Sequence, residues 1–163
     1  MRLLHGSYLD ISKPDLGKCK SNNDFGKGFY LTPNWKRAWQ MGKRSCALHH
    51  GQITVNTFLF YPQECQRKGL HIKEFKGFTT EWAIFILNNR SSSQYKHDYD
   101  IVIGPVADAI VDQEISLYKQ QYGDNCLNEE NLQEFISRIS QFGYNYIQYC
   151  FCTERAINEL IKD

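Results

Sequence analysis

The chain has 163 residues, of which 42% are apolar or aromatic and 23% charged, with a formal net charge of +1. That size suits one domain over 1–163 with a proper core, and no stretch approaches the ~20 apolar residues that cross a bilayer, which excludes a helical membrane protein. The charge is uneven: residues 1–50 hold nine Lys/Arg against three Asp/Glu, whereas the remainder holds ten against fifteen. The first third therefore either binds something anionic, such as a dinucleotide pyrophosphate or a nucleic acid, or simply carries more of the surface cations.

Arg2-Leu3-Leu4-His5 reads as a first strand, ended by Gly6 and followed by a polar loop over residues 8–27. A loop of that length in a compact domain is more often functional than idle. Gly28–Leu31 reads as a short buried strand, and Thr32-Pro33 as a helix start, since Thr caps well and Pro is tolerated at the first helical position. The helix runs towards Ser45 and turns Trp35, Ala38, Trp39 and Met41 to the core or a pocket. His49-His50 before Gly51 marks a helix end. Gln52–Tyr61 is the clearest strand, with Ile53, Val55, Thr57 and Leu59 on one face and Pro62 as its stop. Leu70–Phe75 adds a short alternating strand.

Thr79-Thr80-Glu81 opens a helix through Trp82–Leu87, apolar nearly all round and so buried, with Asn88–Ser93 ending it. Tyr99–Val106 is a second strong strand, and a helix with Val111, Ile115, Tyr118 and Tyr122 on one stripe follows it. Asn128-Glu129 opens another helix, with Leu132, Phe135, Ile136 and Ile139 at helical spacing and Gly143 as its end. Tyr146–Cys152 is the last strand, and Thr153 caps a final helix through Ile157, Leu160 and Ile161. This order fits α+β with a mixed or antiparallel sheet rather than regular β-α-β alternation.

Met1-Arg2-Leu3-Leu4 runs into His5-Gly6 without the apolar region of a signal peptide. The six cysteines include no C-x-x-C pair, and Cys150 and Cys152 share a strand face where they are badly placed to bond each other, so reduced thiols and a cytoplasmic location are expected. The five histidines show no metal-ligand spacing, and no metal is expected. Gly26-Lys27-Gly28 lacks a third glycine and precedes a strand, opposite to the order of a dinucleotide-binding G-x-G-x-x-G.

Leu3-Leu4-His5-Gly6-Ser7, a long polar loop, then Gly26-Lys27-Gly28-Phe29-Tyr30-Leu31-Thr32 resembles the NAD-binding core of ADP-ribosyltransferases of the diphtheria-toxin and poly(ADP-ribose) polymerase type. More closely, the chain resembles a bacterial branch of that superfamily found among toxins of toxin–antitoxin modules. Glu81-Trp82, Leu87-Asn88-Asn89-Arg90, Tyr99–Val106 and Gln148–Glu154 extend the resemblance over nearly the whole chain.

The resemblance implies a split mixed or antiparallel sheet flanked by helices, with NAD as ADP-ribose donor. It implies that His5 hydrogen-bonds the adenosine-side ribose, Gly6 offers its backbone to the nicotinamide amide, Ser7 adds a ribose contact, and Tyr30 stacks on the nicotinamide ring beside Gly28. Lys27 either meets the pyrophosphate or is a solvated loop lysine. The chain departs from the pattern in two places. The helix positions of a serine and a second stacking tyrosine fall near Ala38 and Met41, so Trp39 or Met41 is the candidate for the second face. The catalytic glutamate of the last strand is replaced by Gln148, which hydrogen-bonds but carries no charge. Glu81 and Glu154 are candidate substitute carboxylates, each also explained as a helix N-terminal acid, and Asp100 opens its strand as a turn or sheet-edge residue.

The expected function is therefore mono-ADP-ribosyl transfer, with His5, Tyr30 and Gln148 at its centre, by an intracellular toxin or effector. The acceptor is a nucleic acid or a protein, a cognate antitoxin is a further partner, and no membrane is involved. The alternative is an inactive module of the same fold that binds NAD, ADP-ribose-like or nucleic-acid ligands.

Overall fold

The computed structural model describes residues 1–91, 95–107, 109–123, 127–141 and 146–163. The described strands form two sheets. In the first, β1 (Arg2–Ser7), β3 (Thr54–Leu59) and β7 (Ile161–Lys162) lie in the order β1-β3-β7, all antiparallel. In the second, β2 (Phe29–Leu31), β6 (Ile147–Phe151), β5 (Ile101–Pro105) and β4 (Ile72–Glu74) lie in the order β2-β6-β5-β4, with only β4 and β5 parallel. Among the described residues one bridge joins the sheets: Leu4 and Thr32 exchange backbone hydrogen bonds of 2.8 and 2.9 Å. Around them pack α1 (Trp35–His49), α2 (Pro62–Arg67), α3 (Thr80–Ser91), α4 (Ala109–Tyr122), α5 (Glu129–Ser140) and α6 (Glu154–Ile157). The chain is thus α+β, with mixed and antiparallel sheets flanked by helices.

Because side chains alternate across a strand, each sheet has two faces with different work. Leu3, Phe58 and Phe60 of the first sheet meet Phe29, Leu31, Ile101 and Phe151 of the second, with the rings of Phe60 and Phe151 edge-on at 5.1 Å. The opposite face of the second sheet, through Val102 and Cys150, lies under the buried sides of α3, α4 and α5. Here the sequence periodicities hold: Trp82, Phe85 and Ile86 are buried on α3, Val111, Ile115 and Tyr118 on α4, and Leu132, Phe135 and Ile139 on α5. Asn128 caps α5, and Thr79 Oγ1 accepts from the Trp82 N–H at the start of α3. Ser92, Ser93 and Gly143, read as helix ends, lie outside the described residues.

Several boundaries differ from expectation for identifiable reasons. Gly6 does not end β1, which continues to Ser7 against Thr54 because the partner strand extends that far. Asn34, not Thr32, caps α1, accepting from the Arg37 N–H; the Thr32 hydroxyl instead bonds across to the Ile147 carbonyl at 2.9 Å. The helix then runs past Ser45 to a left-handed His50 at φ 56°. On β3, the deeply buried side is Asn56 and Phe58, continued by Phe60, rather than the β-branched side that lies towards α1. Pro62 begins α2 as it ends the strand. Finally, α6 stops at Ile157, and Ile161 turns out to pair with Leu59 as part of β7.

Candidate functional site

After the Leu4–Thr32 bridge the two sheets part, and a side chain replaces the missing ladder. The imidazole of His5 lies in the split and donates Nδ1–H to the Tyr30 carbonyl at 2.8 Å, since a carbonyl can only accept. Its ring packs 4.4 Å from the Phe29 ring. Burial lowers the His5 pKa against the raising effect of that bond, so the ring is neutral with Nε2 as its acceptor.

Helix α1 sits directly on the outer side of β1 at this point. A Cβ on Gly6 would overlap the Ala38 carbonyl oxygen and crowd the Gly42 amide, so helix and strand meet backbone to backbone. That close approach has no room for indoles. Trp35 and Trp39, expected to face the core or a pocket, are displaced to the flank, 60% and 42% exposed, while Ala38 is fully buried.

The turn before β2 is built the same way. Gly26 adopts φ 79°, a conformation costly for other residues, and its N–H closes on the Asn23 carbonyl. At Gly28 a Cβ would crowd Cys150 Sγ and the Phe151 carbonyl, so only glycine lets the turn lie flat on β6. The Tyr30 hydroxyl secures the loop by donating to the Gly26 carbonyl at 2.8 Å and accepting from the Phe25 N–H at 3.0 Å. Burial pushes that phenol well above its usual range, and its hydroxyl is committed to the loop.

The same turn delivers a carboxylate. Asp24 is 7% exposed and accepts from four donors: Nε and Nη2 of Arg90, the Gln148 amide at 2.7 Å and the Ala107 N–H at 3.1 Å. Arg90 also pairs with Asp112 of α4; burial disfavours its charge, but the two aspartates outweigh that and raise its pKa. Gln148 donates its Nε2 hydrogens to Asp24 and, at 3.4 Å, to the Pro105 carbonyl. A carboxylate needs a donor, so the amide orientation is forced and Oε1 is left as the acceptor.

His5, Ser7, Gly28, Tyr30, Met41 and Gln148 all line one cleft of about 1450 Å³. That exceeds the ~300–1,000 Å³ common for a small-molecule site. Seven Lys/Arg and four Asp are among its lining residues, a surplus of positive charge. Ser7 is 6% exposed, its Oγ accepting from the Leu9 N–H at 3.2 Å. The mouth is partly the 8–27 loop, tied down by Asn56, which is 1% exposed, accepts from the Ile11 N–H at 2.6 Å and donates to the Leu9 carbonyl at 2.9 Å.

Six residues named from the sequence lie elsewhere. Gly6 is under α1, and Trp39 stands on the outside of that helix. Glu81 pairs with Lys73 at the exposed start of α3, and Glu154 sits in the exposed first turn of α6. Lys27 borders a second, smaller pocket on the far side of the turn, together with His97 and Cys152. Asp100 is structural: it accepts from the His71 N–H and the Thr153 hydroxyl and pairs with Arg155, which together lower its pKa despite burial.

Asp24, Arg90 and Asp112 were not singled out by sequence reasoning as site residues. Asp24 begins the glycine turn and Arg90 belongs to a quoted block, but no spacing rule links positions 66 residues apart. Among the described residues no His/Cys/Asp/Glu group could hold a metal ion, and no helix is long and apolar enough to cross a membrane.

No curated protein and no solved structure matches the chain. A family model does, over residues 1–161, and by that match the chain belongs to the family described as "Protein of unknown function (DUF3990)".

Proposed function

We propose that the chain is an NAD-dependent mono-ADP-ribosyltransferase with the split-sheet ADP-ribosyltransferase fold, modifying a nucleic acid or protein as a cytoplasmic bacterial toxin or effector. The observation that carries this reading is that one cleft is lined both by His5, in the split, and by Gln148, held by a buried carboxylate. The cleft fits a dinucleotide in volume and in charge, with Arg37, Arg44 and Lys119 among its cations.

In this reading His5 Nε2 accepts from a ribose hydroxyl, and the Tyr30 ring covers the nicotinamide. Gln148 Oε1 accepts from the nicotinamide ribose, as one oxygen of a glutamate would. The transferred sugar passes through an oxocarbenium-like state, and Asp24 sets a fixed negative charge behind the amide that faces it. With four donors on it, Asp24 orients Gln148 and stabilises positive charge rather than taking a proton. The bond from C1′ to nicotinamide breaks with its electron pair going to the pyridine ring. The acceptor's lone pair makes the new bond, and its proton leaves to water.

The engaged carboxylate also favours the second reading, a module that binds such ligands without turnover. Calorimetry with NAD and covalent transfer from labelled NAD in a cell lysate separate the two. We expect NAD binding and label transfer in the native chain, loss of both in His5→Ala, and transfer down about 100-fold in Asp24→Asn with smaller loss of binding. Binding without label supports the module; no binding at millimolar NAD sinks both readings.

A further inference from the structure

Helix α1 has a surface that donor binding does not use. From Trp35 to His49 it carries Lys36, Arg37, Lys43 and Arg44 and no Asp or Glu. Ala38 and Gly42 face β1, and on one side of that contact Arg37, Met41 and Arg44 border the cleft. On the other side Trp35 and Trp39, four residues apart and therefore neighbours on the helix surface, are 60% and 42% exposed. Lys43 Nζ lies 5.8 Å from the centre of the Trp39 ring. Lys36 and Lys43 occupy the solvent side between the two flanks, with Gln40 among them, so cations extend from the tryptophans to the cleft.

Exposed indoles of this size mark a contact surface. The alternation of aromatic rings with cations, and the absence of any acid, fits a partner that offers flat π-faces and regularly spaced negative charge. Single-stranded nucleic acid has both, and proteins that bind it combine stacking aromatics with a basic path in this way. A helix is about 10–12 Å across with its side chains, a width that a few nucleotides bridge.

We propose that α1 is a track for single-stranded nucleic acid, which is the acceptor: bases stack on Trp35 and Trp39, the backbone crosses Lys36 and Lys43, and a following base enters the cleft. This rests on the ADP-ribosyltransferase reading. A nitrogen or oxygen of the entering base forms the bond to C1′ as nicotinamide departs, and the displaced proton passes to water.

The test uses the full chain and a fluorescein-labelled mixed-sequence DNA 20-mer, with an RNA 20-mer of the same sequence in parallel. Binding is read by anisotropy across a salt series, and transfer by mass shift of the oligonucleotide in the presence of NAD. Trp82 is fully buried, so quenching of tryptophan emission reports on Trp35 and Trp39. The expected result is salt-sensitive binding with quenching, weakened roughly 5- to 100-fold by each of Trp35→Ala and Trp39→Ala, largely kept by Trp39→Phe, and reduced in salt slope by Lys36→Ala/Lys43→Ala. Modified oligonucleotide should fall in the same order, while NAD binding measured by calorimetry stays unchanged. Failure to bind either oligonucleotide, or binding indifferent to both tryptophans, overturns the track. Label found on a protein while the oligonucleotide stays unmodified overturns the acceptor. Absence of NAD binding alone sinks the donor reading and leaves oligonucleotide binding as a separate result.

Discussion

The two walls of the cleft are made by opposite means. On the β1 side the lining side chains, His5, Ser7, Arg37, Met41 and Arg44, ride on a strand and helix held together behind them by how closely backbone approaches backbone at Gly6, Ala38 and Gly42. On the β6 side the wall is a charge network, with Asp24, Arg90, Asp112, Gln148 and the Ala107 amide from five separate parts of the chain. The first kind of wall fails by steric overlap and is indifferent to pH and salt. The second fails by unpairing, because a buried charge that loses one partner leaves the others stranded. The two kinds of failure tell the walls apart.

The largest effect is expected at Gly6. A methyl group there has to push α1 off the sheet, since the obstructing atoms are backbone and cannot rotate away. Gly6→Ala should cost about 3 kcal/mol or more and lower the melting temperature by roughly 10 °C, equally at low and high salt. A melting curve unchanged from the native chain would show that α1 is not seated as described.

Gln148→Glu probes the other wall and should be smaller and pH-dependent. It places a second carboxylate against Asp24 Oδ2, and two such groups cannot both ionise cheaply. The new carboxyl is raised above its unfolded value, so its penalty grows as pH rises towards neutral and shrinks on acidification. Each unit of that rise costs about 1.4 kcal/mol at pH 7. Denaturant melts of variant and native chain at pH 5 and 7 read this directly, and an equal gap at both pH values would contradict the arrangement.

The smallest effect concerns His5, which belongs to both walls because it bridges the split. Its burial lowers its pKa, so its ring signals should titrate in NMR below the ordinary 6.5. The unfolded chain then binds the proton first, and this residue's contribution to stability is lost as pH falls below that value. Titration above it would mean that an acid faces the ring.

How much of this was legible depends on the kind of wall. Elements with strong period, such as the all-round apolar run of α3 and the stripe on α5, come directly from burial of apolar surface, and the sequence shows them plainly. The HisGly and GlyLysGly stretches could also be placed, because each needs a particular residue type where chain meets chain. Two things could not be read. Type and spacing place Trp35 and Trp39 at the core or a pocket, since nothing local reveals that the helix is pinned by Ala38 and Gly42 instead. Asp24 stood in the stretch that mattered, but its value lies in Arg90 and Gln148, 66 and 124 positions away, and only the fold brings those together. Glu81 and Glu154 stand at helix starts, where local rules operate; the carboxylate that reaches Gln148 is one that long-range topology supplies.

The short β7 strand gains importance from its last residues. Lys162 Nζ reaches Asp10, the Ile11 carbonyl and Asn56 Oδ1 at 2.8 to 2.9 Å, while the neighbouring Asp163 pairs with Arg2. The lip of the cleft is thereby fastened to residues 151 positions further along the chain, which act as its clasp. The loop after β1 and strand β7 meet at the mouth, so the opening is complete only when both are in place.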